Sequence, residues 1–179
     1  MADSDVFNAQ VVTPERILVN GPATQVILRT ADGDITFLAG HTPLVGTVEP
    51  GVVRVVGEDG EELRLAVHGG FVQVEQHVDD EDDADGGRPS SSNPSGTRVT
   101  VLAGIAELAE EIDTERARLA REAAEAKVAE LASAGRTSGT GGGSGEDDEI
   151  DAEVVEAEAA LRRAEVRLEA AGVTAAAGS

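Results

Sequence analysis

The stretch Leu65-Ala66-Val67-His68-Gly69-Gly70-Phe71-Val72-Gln73-Val74 constrains the fold more than any other. Leu65 and Val67 alternate on one face, and Val72 and Val74 do the same after the glycines, the period-two signature of half-buried strands. Gly69-Gly70 leaves no side chain at the break. The chain can therefore bend there, or another backbone can pass close by. A strand, a glycine pair and a second strand predict a β-fold with a kink or bulge at the glycines.

The same rhythm runs from Val6 to Leu102. Phe7, Ala9 and Val11 alternate with Asn8, Gln10 and Val12, and Thr13-Pro14 should end that strand because proline donates no ladder hydrogen bond. Ile17 to Val19 and Ala23 to Thr30 read as two strands separated by a turn at Asn20-Gly21-Pro22. Val26 and Leu28 face away from Gln25, Ile27 and Arg29. Ala31-Asp32-Gly33-Asp34 predicts a hairpin turn with Gly33 at positive φ, and Ile35 and Phe37 continue the alternation. Val52 to Val56 should pair with Glu62 to Val67 across Gly57-Glu58-Asp59-Gly60. Val99 to Leu102 is the last strand. Short strands separated by turns about every ten residues predict a β-sandwich of about ten strands over residues 1–103.

Two segments break the pattern. Asp79 to Asp85 is acidic at six of seven positions, and Gly86 to Gly96 is built from Gly, Ser, Pro and Asn around Arg88. With no apolar face to bury, 79–96 predicts a disordered insertion. Calcium loops need alternating ligands around a fixed glycine turn, a spacing this run lacks. Ser133 to Glu146 is a Gly/Ser/Thr-rich linker without the Gly-Lys-Ser/Thr ending of a phosphate loop.

After Gly104 the period becomes helical. Ile105, Leu108, Ile112, Leu119, Val128 and Leu131 predict one stripe of a helix over about 105–132. Arg118–Glu122 and Arg121–Glu125 are i,i+4 pairs on its polar side. Ile150, Val154, Ala157, Leu161, Ala164 and Leu168 step by four and three on a second helix over about 147–171, ended by Gly172. Residues 104–179 thus predict an antiparallel two-helix hairpin. Its many alanines bury little area, so it should be weakly held.

Composition narrows the chemistry. The 179 residues carry a net charge of −21, which argues against nucleic acid and anionic lipid as partners. There is no cysteine, hence no disulfide and no thiolate metal site. The acidic start Met1-Ala2-Asp3-Ser4-Asp5 is unlike a signal peptide, and no apolar run reaches the ~20 residues of a membrane span. His41, His68 and His77 lie in different strands or loops, so no catalytic constellation or metal site forms, and no catalytic activity is expected of the chain itself. His68, beside the glycine pair, reads as a structural histidine.

Val12-Thr13-Pro14-Glu15-Arg16, Gly40-His41-Thr42-Pro43-Leu44 and the Leu65–Val74 stretch together resemble the ε (epsilon) subunit of F-type ATP synthases. The resemblance runs from about Val6 to Leu168 and is broken by two insertions. It implies a central-stalk rotor subunit that couples the γ subunit and the c-ring to ATP synthesis. The implied place is the cytoplasmic face of the cell membrane, peripheral to a proton- or sodium-translocating synthase. The hairpin would meet the α/β catalytic head and regulate ATP hydrolysis. Ile112, Asp113, Arg116 and Ala117 match a motif that holds ATP in some bacterial members, which implies ATP as a regulatory ligand, with no cofactor required. An arginine fork suits phosphate oxygens, and a carboxylate can accept from ribose or adenine. Without the resemblance, Asp113 and Arg116 read as an intrahelical ion pair. Arg162, Arg163 and Arg167 are further candidates on the second helix.

The resemblance also implies that Asp34 and His41 flank a loop facing the c-ring, although Thr36 and Ala39 depart from the family's usual Gly and Pro. On the second helix, Arg162, Arg163 and Arg167 are outweighed by Asp151, Glu153, Glu156, Glu158, Glu165 and Glu169. Extension toward an acidic surface would then gain little, which predicts weak inhibition. The alternative reading is a free-standing β-sandwich binding module with a helical hairpin for self-association.

Overall fold

The computed structural model describes residues 5–76, 95–137 and 146–172, the side chains of 134–137 and 146–151 excepted. Most of the acidic insertion, the central part of the Gly/Ser linker and His77 lie outside the described residues. The chain divides into two compact units, Met1–Glu111 and Ile112–Ser179.

The first unit holds nine strands among the described residues. They are β1 (Phe7–Val12), β2 (Ile17–Thr30), β3 (Gly33–Phe37), β4 (Leu44–Val48), β5 (Gly51–Gly57), β6 (Glu62–Val67), β7 (Gly70–Gln76), β8 (Thr97–Ala103) and β9 (Ala106–Leu108). Their order is β4-β7-β8-β1-β2-β5-β6-β9, with β3 beside β2. Among the described strands only β1 and β8 pair in parallel. The expected alternation holds: Phe7, Ala9, Val11, Val26, Leu28, Leu65, Val67, Val72 and Val74 all enter one buried core, together with Phe37, Val99 and Val101. That shared core closes the sheet on itself as a β-sandwich. Val52 to Val56 pairs with Glu62 to Ala66 as the turn chemistry requires, and Gly33 takes φ 122° beside the two-residue loop joining Thr30 to it.

The kink foreseen at Gly69-Gly70 is a corner. It joins β6, which lies between β5 and β9, to β7, which lies between β4 and β8. Gly69 and Gly70 have φ of 94° and 152°. A Cβ on Gly70 would stand 2.1 Å from the Leu102 carbonyl oxygen, so no side chain fits where β8 passes.

Three expectations need correction. Asn20-Gly21-Pro22 makes no turn: β2 is one 14-residue strand through it. Pairing decides this, since Asn20, Gly21 and Pro22 face Gln10, Ala9 and Asn8 of β1. The other edge of β2 meets β5 only from Ala23 onward, so the proline interrupts no ladder on that side. Next, the first helix does not begin near 105. Ala106–Leu108 forms β9 against Leu65–Val67, and a 3-10 turn at Ala109–Glu111 follows. The apolar edge of β6 captures Leu108, which a helical period had claimed. Finally, helix α1 runs Thr114–Thr137, beyond the expected end at 132. The Ser133 hydroxyl donates to the Glu130 carbonyl at 2.7 Å, satisfying itself within the helix.

The second unit is α1 packed on α2 (Glu146–Ala170). The chain from 137 to 146 can span at most about 32 Å, less than the length of either helix at about 36 Å, so the packed pair is antiparallel. In α1 the buried positions are Ala117, Ala124 and Leu131, with Arg121 and Val128 half-buried between them. This seam steps by four and three, and it leaves Leu119 65% exposed, off the stripe expected for it. On α2 the expected positions Val154, Ala157, Leu161, Ala164 and Leu168 all lose exposure, but Val166 and Ala170, outside that stripe, are buried too, at 1% each, so the covered surface is wider than expected. Gly172, at φ 73°, donates to the Glu169 carbonyl and ends α2.

Candidate functional site

Asp113 lies one residue before α1 and is its N-cap. Its Oδ1 accepts from the Arg116 amide at 2.9 Å, and its carbonyl accepts from the Ala117 amide at 2.9 Å. This satisfies donors that every helix start leaves open. The intrahelical ion pair is therefore replaced: Asp113 meets the backbone of Arg116, not its guanidinium. The Arg116 side chain is exposed and makes no ion pair with any described residue. Ala117 is buried in the helix seam and Ile112 is half-buried. Of the four motif residues, only Arg116 and one carboxylate oxygen of Asp113 are free of these local roles.

Asp34 lies near the start of β3, and His41 lies in the loop after its end. Asp34 faces Arg29 across the hairpin and pairs with it at 3.1 Å. His41 packs edge-on against Phe37, ring centroids 4.9 Å apart, and its Nδ1 lies 2.8 Å from the Thr42 carbonyl. The loop carrying it is pinned where the Gly40 amide donates to the buried Thr97 hydroxyl at 2.9 Å. These are two separate surface points, each held by its own neighbour. On α1, Arg121 pairs with Glu125 at 2.8 Å as foreseen, whereas Arg118 turns back to Glu115.

Two features were not foreseen. The first is an apolar row on the outer face of the layer β4-β7-β8-β1. Thr47, Phe71, Leu102 and Val12 are successive paired positions across four strands. Phe71 and Leu102 are 56% and 45% exposed, and Val45 one step along is 71% exposed. Ile17, at the start of β2 beyond Val12, adds a further exposed apolar side chain. Single exposed apolar residues mean little, but a contiguous row marks a surface made to be covered. The signal was present in Phe71-Val72 and Val101-Leu102, which are apolar on both faces of their strands. The second is a two-point ion pair. The guanidinium nitrogens Nη1 and Nη2 of Arg16 donate to Oε1 and Oε2 of Glu111, ninety-five residues away. The hydrogen bond from Arg16, and then its charge, hold the Glu111 carboxyl below the usual carboxylate range. Nothing local in the sequence announces that pair.

No helix among the described residues is long and apolar enough to cross a membrane. The remaining information comes from similarity. Residues 6–78 match a family model described as ATP synthase, Delta/Epsilon chain, beta-sandwich domain. An ATP synthase epsilon chain of Sinorhizobium fredii is 46% identical over 74 residues, covering 41% of this chain and 54% of the relative. One from Brucella anthropi is 38% identical over 93 residues, covering 46% of this chain and 69% of the relative. The chain thus spans about half the length of the first curated relatives it matches. A chain in the Euglena gracilis mitochondrial ATP synthase, OSCP/F1/c-ring in rotational state 1, superposes with a TM-score of 0.62 at 24% identity. That match covers 94% of this chain and 81% of the other, and supports the fold. The matched sandwich and the extent of shared sequence place the chain in the ATP synthase delta/epsilon family.

Proposed function

We propose that the chain is a rotor subunit of the central stalk of an F-type ATP synthase, without catalytic activity of its own. The observation that carries this reading is the apolar row of Phe71, Leu102, Val12 and Ile17, set on a sandwich of this family. A rigid two-layer scaffold with an apolar row across one end of an outer face suits a subunit clamped to a shaft. The γ subunit is the partner for that face. The c-ring is the partner for the Asp34 and His41 points, which act as two separate contacts. The chain works peripherally, on the cytoplasmic face of the cell membrane, as part of an assembly that moves protons or sodium ions.

The helical unit is the regulatory part of this reading, and the α/β head is its partner. Alanine alternates with larger residues along its seam, at Ala117, Ala124, Ala157 and Ala164, which limits the apolar area opposing its rearrangement. ATP is its regulatory ligand, gripped by Arg116, whose fork is unengaged by described carboxylates and suits phosphate. Asp113 serves this role with one oxygen, the other being committed to the cap.

The test is recovery of tagged chain from detergent-solubilised membranes of its source, with bound proteins identified by mass. Rotor shaft, catalytic head and c-ring should co-purify with the wild type, and Phe71→Asp should abolish recovery without unfolding the sandwich. Recovery of bait alone, under salt that keeps the synthase intact, would reject the rotor reading. A stable self-associated species in its place would favour a binding module.

A further inference from the structure

We propose that the Arg16–Glu111 pair is an anchor that fixes the exit of the chain from the sheet unit and confines the pivot toward the helical unit to Ile112. The inference concerns the chain itself and stands independently of the synthase assignment.

The anchor is built at both ends. Arg16 sits in a tight turn in which the Thr13 amide and hydroxyl both donate to the Arg16 carbonyl, at 2.9 and 3.1 Å, and the Arg16 amide donates back to the Thr13 hydroxyl at 3.2 Å. Thr13 is buried, so the turn is fixed to the core. From there the guanidinium reaches Glu111 with two nitrogens on two oxygens, the geometry that gives arginine its directional hold. Upstream of Glu111, β9 pairs with β6 over three residues, and the His68 amide donates to the Ile105 carbonyl at 3.1 Å. Downstream, Asp113 already caps α1. The compact units divide between Glu111 and Ile112.

Ile112 is therefore the one residue between an ion-paired carboxylate and a helix cap. Without the pair, the exit segment is tied only through 105–108, by a three-residue edge strand, the His68–Ile105 hydrogen bond and the packing of Ala106 and Leu108 on the core. The pivot would then retreat toward Gly104, where even an added Cβ would meet nothing. Both partners are about half exposed, so the anchor is screened by salt and can be released.

Hydrogen exchange of the full chain tests this. Glu111→Gln and Arg16→Gln should each speed exchange of amides 106–111 roughly two- to fivefold, the range of an exposed ion pair, with amides 7–12 and 114–118 unchanged. Exchanging the charges, Arg16→Glu with Glu111→Arg, should restore protection. Unchanged exchange at 106–111 in both single variants would overturn the proposal. So would equal acceleration at 7–12, which would signal general loosening, or failure of the exchanged pair to restore protection.

Discussion

Phe7, Phe37, Leu28 and Leu65 lie in the sheet unit with at most 1% exposure, while the buried positions of the helical unit are Ala117, Ala124, Ala157, Ala164 and Ala170 with Leu131, Val166 and Leu168. The two units are held by different forces. In the sandwich, large side chains from strands distant in sequence share one core, so each strand depends on all the others. In the helical pair, most backbone hydrogen bonds are internal to each helix, and the seam adds little burial because alanine offers little surface. The sheet unit should therefore fail as a whole when struck at one point, and the helical unit should fail locally. The same contrast explains why the anchor at Glu111 matters: it marks where cooperative structure gives way to a weakly packed element.

Several changes would break or sharpen this contrast. The largest effect is expected from Gly70→Ala. Its Cβ would press on the Leu102 backbone, and φ of 152° is strained for any side chain. A loss of about 4 kcal/mol is expected, read by urea unfolding, with the whole sandwich lost in one transition. Phe37→Ala should cost about 3–5 kcal/mol, against about 2 kcal/mol for Leu131→Ala in the helical unit. Calorimetry should show the first shifting the sheet transition and the second leaving it in place. Equal effects on one shared transition would show that the two units unfold together.

A smaller change is expected from Asp113→Ala. Loss of the cap should cost about 1 kcal/mol and speed amide exchange at 115–117, with the sandwich unaffected. The last effect is one of pH. Hydrogen bonding to Arg16 holds the folded value of Glu111 below its unfolded one. The anchor is then fully present above the unfolded glutamate value of about 4.3, and is lost as pH falls through the lower, folded value. A carboxyl-carbon NMR titration should place the Glu111 midpoint below that of an ordinary exposed glutamate, and Arg16→Gln should raise it.

Much of the sandwich was legible in the chain because strand alternation and turn residues are local signals. The same locality explains the misses. Asn20-Gly21-Pro22 has turn chemistry, yet pairing with β1 draws it into β2, and only the partner strand could reveal that. Leu108 satisfies a helical period and a strand edge equally well, and β6 decides between them. Leu119 lies in α1 as expected but off the buried face, because the seam runs through Ala117, Ala124 and Leu131. For the candidate site, the sequence placed Asp113 and Arg116 three apart, but whether the carboxylate meets a side chain or an amide depends on where α1 starts. That start depends in turn on β9 and the 3-10 turn before it.

By itself, then, the sequence determined the core faces of most strands, the glycine kink at Gly69-Gly70, the larger part of the α2 seam and the family to which the chain belongs. Each follows from residue periodicity, backbone freedom or matched segments, all of which are properties of neighbours along the chain. Tertiary structure alone decided the continuity of β2, the existence of β9, the cap at Asp113, the exposed row through Phe71 and Leu102, and the anchor between Arg16 and Glu111. These depend on which strands become neighbours in space, and pairing between residues as far apart as 16 and 111 leaves no local trace.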